Sequence, residues 1–476
     1  MDNQSFEARI SIFPRSVKGL FRYIKSGILI FAYVIYFLLP WLRWERINGP
    51  DQAVLFDLEG RRFYLFDLVV YAQDIFWLAG LLVIFAMLLF FVTGIAGRVW
   101  CGYFCFQTLW TDVFYYIEYL VQGERNARIK LSKAAWDANK VIRMSLTWFL
   151  WLSISLMTGL AFTLYWGNAP ELILQMVQGK APFAAYATTL FLMATTFVMA
   201  GLAREQTCTY MCPYARFQGV MFDEDTAIVA YDDARGEREV GRQKPSKGLM
   251  DRQSRIDKNV GDCIDCGFCV QVCPVGIDIR NGQQYQCISC ALCIDACDTI
   301  MQSIDYPKGL ISYTSENKLS GKKSNPFNFK NIGYGVVLTI TIGMLIWSIA
   351  TRTELEMSVR QVRQPLYVEL SDGSIQNRYV LKINNKTEIK KKFRLSISEL
   401  EKAELSGNNL KLIEVSAEGS VQIHVKVTQP AFTAKQNRTQ LRFNLMAIDT
   451  AEGYSNADVI TMFYVPAEKL NTGTLK

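Results

Sequence analysis

One histidine, His424, stands alone in 476 residues. No stretch apolar enough to span a membrane contains it, so a membrane haem held by two histidines is excluded. No glycine-rich fingerprint of a flavin or nicotinamide site is found. No nucleic-acid motif accompanies the net charge of +7. A secreted disulfide scaffold is not indicated either, because eight of the twelve cysteines fall into a metal-cluster spacing. Charged residues make up only 20% of the chain, while half of it is hydrophobic and 13% aromatic. With a slightly positive mean hydropathy, the chain is too apolar for a set of soluble domains and too polar for a pure transporter. A membrane part with soluble attachments is expected, in roughly two to four domains.

What is present is led by two cysteine quartets. One is Cys263-Ile-Asp-Cys266-Gly-Phe-Cys269-Val-Gln-Val-Cys273-Pro274, the other Cys287-Ile-Ser-Cys290-Ala-Leu-Cys293-Ile-Asp-Ala-Cys297. Each is C-x2-C-x2-C-x3-C, the spacing of a bacterial two-cluster ferredoxin. Three cysteines at i, i+3 and i+6 wrap one cube of iron and sulfide, and the fourth lies too far round that loop, so it reaches the other cluster. Cys263, Cys266, Cys269 and Cys297 are thus assigned to one [4Fe–4S] centre, and Cys287, Cys290, Cys293 and Cys273 to the second. Zinc sites show paired C-x2-C knuckles instead.

Hydropathy divides the rest. Residues 1–25 are polar and basic (Arg9, Arg15, Lys18, Arg22, Lys25). Membrane spans are expected at 26–42, about 75–97, about 143–166, about 184–203 and 332–350. The first carries no small-residue cleavage site and reads as an uncleaved span rather than a signal peptide. Residues 47–74, with Asn48-Gly49-Pro50, read as a short hairpin or loop. Within 106–122, Leu109, Val113, Tyr116, Ile117 and Leu120 recur at helical spacing, predicting an amphipathic helix at the membrane surface. The stretch 232–262 reads as a linker or extended wrap, and the cluster module is placed at about 255–305 inside a polar region, 204–331.

Lys and Arg concentrate in the N-terminal segment, in the 98–142 loop and in 204–331, which places these on the cytoplasmic side of the membrane. Five spans then put the C-terminal part outside. All twelve cysteines fall on the reducing side or at its membrane edge. Residues 355–476 change to short alternating runs (379–383, 393–397, 421–427, 441–445, 458–463) separated by turn residues, predicting about seven strands in an immunoglobulin-like β-sandwich. His424 lies on the solvent face of one of them. The expected fold class is a multi-domain membrane protein: a five-helix α transmembrane part, a cytoplasmic two-cluster ferredoxin-like module and a C-terminal immunoglobulin-like β-sandwich.

Four cysteines remain. Cys101 and Cys105 follow the second span, and Cys208 and Cys212 follow the fourth, each pair as C-x3-C. On a helix, i and i+4 share one side, so each pair would aim two sulfurs the same way. Pro213 would end or kink its turn. Both motifs lie at the inner face, so they could meet and offer four sulfurs. Such thiols bind soft metals such as Cu(I), cycle as dithiol and disulfide, or stay buried and inert. Two copies in equivalent positions beside a ferredoxin module favour redox or metal chemistry.

The segment Gly97-Arg98-Val99-Trp100-Cys101-Gly102-Tyr103, with Gln107-Thr108-Leu109-Trp110-Thr111-Asp112, resembles the cytochrome c oxidase accessory proteins called CcoG, FixG or RdxA. So do Thr207-Cys208-Thr209-Tyr210-Met211-Cys212-Pro213-Tyr214-Ala215-Arg216-Phe217-Gln218 and Tyr231-Asp232-Asp233-Ala234-Arg235-Gly236-Glu237. The resemblance covers essentially the whole chain. It implies assistance in assembling cbb3-type oxidase by reducing Cu(II) to Cu(I), with Cys101, Cys105, Cys208 and Cys212 handling copper as substrate and the eight ferredoxin cysteines supplying electrons. It also implies oxidase subunits or copper-delivery proteins as partners. One departure stands out: the family usually has Pro after the second cysteine of the first motif, and this chain has Phe106.

Two further functions fit. A quinol dehydrogenase subunit would draw electrons from the lipid phase, with span aromatics (Phe76, Trp77, Phe85, Phe90, Phe91, Trp148, Phe149, Trp151) lining a quinone pocket. A non-enzymatic assembly scaffold would bind through its sandwich. The electron donor and the oligomeric state are not legible.

Overall fold

The computed structural model describes residues 12–470 except 47–48, 72–73, 352, 354, 388, 408–409, 411, 418, 435 and 449–455. Arg9 and Asn48, named above, lie outside the described residues. The chain forms two compact units, one running to Leu345 apart from Glu45–Pro50, the other taking Glu45–Pro50 and the chain from Ile346 on.

Five helices are long and apolar enough to cross a membrane: Leu20–Trp41, Ile75–Ala96, Ala138–Leu164, Phe183–Ala203 and Phe329–Ala350. At 1.5 Å per residue each matches a hydrocarbon core of about 30 Å. The first and third start well before hydropathy predicts, and both times the reason is a polar residue with a protein partner. The first helix takes in Arg22 and Lys25, which bind Asp112 at 2.9 and 3.5 Å. Lys25 is buried. The third begins at Ala138, where the Asp137 side chain caps the turn by accepting from the Lys140 N–H. The Lys140 ammonium donates to the carbonyls of Ser132 and Ala134.

The helix Phe106–Gln122 forms as predicted, and most of its apolar face packs against protein. Leu109, Trp110, Phe114 and Ile117 are buried in a core with Trp151 and Ala200. Phe114 stacks on Trp151 at 5.3 Å between ring centres. Only Tyr116 and Leu120 of the expected apolar stripe are exposed. Its Glu118 receives both Arg128 and Arg204, closing the helix against the end of the fourth span. The expected hairpin is a three-stranded antiparallel sheet: β1 (Val54–Asp57), β2 (Arg62–Leu65) and β3 (Leu68–Tyr71).

The cysteine module is closed by β4 (Ile228–Tyr231) paired antiparallel to β5 (Ile311–Thr314), so its framework extends beyond 255–305 on both sides. The two quartets repeat one backbone. Asp265 and Gly267 have positive φ, as do Ser289 and Ala291 at the equivalent positions, and a short helix follows each. Alternation of this kind curls successive N–H groups into an anion-receiving concavity. The stretch 232–262 wraps this module. Within it Arg255 is fully buried and donates to the carbonyls of Gln243, Gly261 and Cys263.

The second unit is a β-sandwich. Strands β6 (Leu355–Gln361), β7 (Val368–Glu369), β8 (Ile375–Asn385), β9 (Lys391–Ser398), β10 (Glu404–Gly407), β11 (Ile413–Val415), β12 (Ser420–Gln429), β13 (Arg438–Ala447) and β14 (Asn456–Tyr464) make two sheets. One runs β10-β12-β8-β6 with β7 beside β8, the other β11-β9-β13-β14. All five runs named from the sequence are strands. Four further strands raise the described total to nine. Leu381, Ile383, Phe393, Val427, Leu441, Phe443, Leu445 and Phe463 are fully buried between the sheets. The Tyr379 hydroxyl crosses that core to donate to Met462 O at 2.8 Å. His424 is exposed.

The first span is tied to the cysteine module through its N-terminus. Asp295, between Cys293 and Cys297, accepts from the N–H groups of Phe21 (3.2 Å) and Arg22 (2.8 Å). Helix starts leave such donors free, and a carboxylate there also meets the positive end of the helix dipole. Gly19 is required by the contact, since a Cβ there would run into the Asp295 carboxyl group. Asp295→Ala should lower stability by about 1–2 kcal/mol, read as a lower thermal midpoint in detergent, while Asp295→Asn should lose less.

Candidate metal centres

Two voids in the cysteine module sort the quartets. One is lined by Cys263, Cys266, Cys269 and Cys297 together with Ile264, Ile300, Met301, Leu310 and Ile311. The other is lined by Cys273, Cys287, Cys290 and Cys293, with Cys269 on the shared wall. The fourth cysteine of each quartet therefore faces the void of the other. Among the described residues no group of three or more His, Cys, Asp or Glu is placed to hold a single metal ion. All-thiol donors around an apolar-walled space fit iron–sulfur centres.

Burial sets the thiol chemistry. It pushes Cys269 and Cys287 up to about 11 and Cys273 up to about 12, against partial relief from the Val275 and Ile277 N–H groups on Cys273 and the Ser289 N–H on Cys287. Cys290, Cys293 and Cys297 are raised by the same burial. These thiols are protonated at neutral pH, so metal loading must displace protons.

The two C-x3-C motifs come together, but not as expected. Neither pair sits on one helix. Cys101 lies in the short helix Val99–Tyr103, and Cys105 starts the next helix from an extended conformation (φ −64°, ψ 128°). Cys208 lies in a π-helical turn, Thr207–Met211, and Cys212 leaves it extended (φ −84°, ψ 108°) before Pro213 opens another helix. Each pair thus straddles a helix break. The four thiols are close enough to interact electrostatically: Cys101 is raised by Cys105, Cys208 and Cys212, and Cys208 by Cys105 and Cys212. Burial is the larger cause and pushes Cys101 and Cys208 up to about 12.

Their supports were not singled out in the sequence. Cys101 Sγ donates to Gln218 Oε1 at 3.0 Å, and the fully buried Gln218 donates in turn to Thr93. Thr108 donates to Cys101 O at 2.6 Å. The guanidinium of Arg98 donates to the carbonyls of Ala215, Tyr285 and Cys287, and its charge lowers Cys101, Cys208 and Cys287 alike. Arg98 and Gln218 both lie inside the resembling motifs, so a signal existed. Gly102 lets this edge approach the second quartet, since a Cβ there would stand 2.7 Å from Ile288 O.

A third void is lined by Cys208 and by Pro274, Val275 and Ile288, among others. Val275 and Ile288 also line the second-quartet void. The three sites thus stand in series: first quartet, second quartet, thiol motifs. Of the aromatics proposed for a quinone pocket, Phe76, Phe85, Trp148 and Phe149 are exposed, and Trp77 and Trp151 are buried. A cavity of about 330 Å³ in the bundle is lined instead by Tyr36, Phe106, Gln107, Thr158, Phe162 and Met199, among others.

Residues 203–316 match the family model described as a 4Fe-4S dicluster domain, and 345–466 match the one described as the IG-like fold at the C-terminal of FixG. Residues 78–126, which carry Cys101 and Cys105 but neither quartet, match a 4Fe-4S binding domain. The chain is 41% identical to Protein RdxA of Cereibacter sphaeroides over 98% of its own length and 99% of that protein's. It is 40% identical to Protein RdxB of the same organism, over 94% of this chain and 95% of that one. It is 38% identical to the nitrogen fixation protein FixG of Rhizobium meliloti, over 80% of this chain and 78% of that one.

In metal-free protein at pH 8, alkylation of Cys101 and Cys208 by iodoacetamide should run roughly a thousandfold below that of an ordinary thiol, because only the thiolate reacts. The rate should climb about tenfold per pH unit toward pH 11. Site-resolved mass spectrometry checks both; a rate already on its plateau at pH 9 contradicts the burial argument.

Proposed function

Since the chain belongs to the family of FixG, RdxA and RdxB and is a multi-pass membrane protein with 4Fe–4S domains, we propose that it is a membrane cupric reductase serving the assembly of a cbb3-type cytochrome c oxidase. The observation that carries this reading is the meeting of four soft thiols from two separate motifs next to the second cysteine-lined void. Cys263, Cys266, Cys269 and Cys297 would hold one [4Fe–4S] centre, and Cys273, Cys287, Cys290 and Cys293 the other. One-electron transfer is the chemistry such centres supply, and Cu(II) takes one electron to become Cu(I).

The chain's own residues do the rest. Cys101, Cys105, Cys208 and Cys212 are not preset around a single ion; they would supply its sulfur ligands as it binds, and sulfur favours the Cu(I) product over Cu(II). Gln218 and Thr108 orient Cys101. Protons leave the thiols as the ion binds. The basic edges orient the spans so that both cluster sites face the cytoplasm and the β-sandwich the periplasm, where it would dock oxidase subunits or copper-delivery proteins. The donor is then a cytoplasmic one-electron reductant.

The bundle void beside Phe106 supports a second reading, quinol oxidation, in which reducing equivalents enter from the lipid.

One anaerobic turnover separates these. The purified protein is reduced, freed of reductant and given Cu(II) with a colorimetric Cu(I) chelator. Cu(I) should appear as the cluster absorbance bleaches. Cys208→Ser/Cys212→Ser should stop it while keeping about eight irons per chain, two four-iron centres. Copper left oxidised while a quinone analogue exchanges electrons rapidly would move the assignment to the second reading. Iron beyond two centres that disappears with the double substitution would overturn copper binding at these thiols.

A further inference from the structure

Two arginines are buried in the cysteine module and its membrane edge without a carboxylate partner. Arg98 is 3% exposed and Arg255 is fully buried. Among the described residues neither forms an ion pair. Asp262, beside Gly261, is taken by Arg235, Arg252 and Arg238. Both guanidinium groups donate only to backbone carbonyls: Arg98 to Ala215, Tyr285 and Cys287, Arg255 to Gln243, Gly261 and Cys263. The pairing is symmetric, because Cys263 and Cys287 are the first cysteines of the two quartets. In each case one guanidinium nitrogen, Arg98 Nε and Arg255 Nη1, is left without an acceptor.

A buried cation facing only carbonyls is costly unless a negative charge lies close by. Four thiolates around an iron–sulfide core carry a net negative charge that grows on reduction, and net charge is one of the terms that set its potential. We propose that Arg255 and Arg98 are positioning residues that serve as built-in counter-charges, Arg255 for the centre held through Cys263 and Arg98 for the centre held through Cys287. This rests on the two-centre reading above. Each arginine stabilises the reduced form of its own centre. Arg98, tied also to Ala215 in the helix after Cys212, places its charge between the second centre and the thiol motifs.

A purely structural role, pinning a loop by its carbonyls, makes a different prediction. Gln keeps hydrogen-bond donors and loses the charge; Lys keeps the charge and loses the fork. The full-length protein in detergent is titrated potentiometrically with electron paramagnetic resonance detection, and iron is counted. Parent protein without two reducible centres removes the underlying reading and is recognised before any variant is compared. With two centres present, Arg98→Gln should move one midpoint negative by about a tenfold change in the one-electron equilibrium, about 59 mV, and leave the other in place. Arg255→Gln should move the other midpoint instead. Arg98→Lys and Arg255→Lys should keep parental midpoints. Unchanged midpoints in both Gln variants, both midpoints moving together, or Lys variants shifting like Gln would overturn the proposal. Should a Gln variant fail to retain iron, its Lys variant decides: loaded with parental midpoints, it supports the counter-charge; iron-free, it overturns it.

Discussion

A helix that enters a membrane must satisfy its first N–H groups before it leaves the protein. In this chain the first span does so on Asp295, a side chain sandwiched between two cysteines of the second quartet. That contact couples residues 273 and 274 positions apart in sequence. It fixes the cysteine module against the membrane bundle: Gly19 makes room for the Asp295 side chain, and Gly102 lets its helix approach the backbone of Ile288 and Cys290. Filling the cysteine-lined voids and packing the bundle are therefore one folding problem. A module that failed to wrap its metal would also leave the first helix uncapped.

Charge is handled in two ways around this junction. Where acids are available, the cations are paired: Asp112 takes Arg22 and Lys25, and Glu118 takes Arg128 and Arg204. Burial alone would raise the Asp112 carboxyl, but Lys25 and Arg22 outweigh it and hold it below the usual range. Arg280, which lines the first-quartet void, is likewise paired, with Asp265 and Asp278; Arg98 and Arg255 have no such acid, and they donate to the carbonyls of the first cysteine of each quartet. Stability near neutral pH thus leans on carboxylates whose ionised form is the paired one. The Asp112 contribution is present above the ordinary carboxylate pKa and fades as pH falls through the lowered folded value.

Much of this was legible because covalent spacing and hydropathy are local. Two C-x2-C-x2-C-x3-C runs cannot serve two cubes without crossing over, and the voids sort the cysteines in that crossed order. Five apolar runs gave five helices. What stayed hidden depended on partners distant in sequence. Lys25 reads as a polar flank until Asp112 is beside it. The helix Phe106–Gln122 has the periodicity of a surface helix, yet Trp151 and Ala200 cover its apolar face. Strands β7, β10 and β11 are two to four residues long, too short for alternation to mark. Arg255 carries no motif at all.

Phe106 shows how the fold can replace a local rule. Proline after a cysteine would force that cysteine out of the helical region, as Pro213 does for Cys212. Cys105 has no proline after it and still adopts nearly the same extended conformation. The ring of Phe106 stacks on Trp110 one turn later, at 3.9 Å between centres, and Trp110 is itself buried and donates to Thr158 at 2.7 Å. Stacking of this kind is worth about 1 kcal/mol, comparable to the restriction a proline supplies. The helix therefore begins where an anchored aromatic pair fixes it. The two motifs keep equivalent backbones by different means, which is why the missing proline leaves the four-thiol arrangement standing.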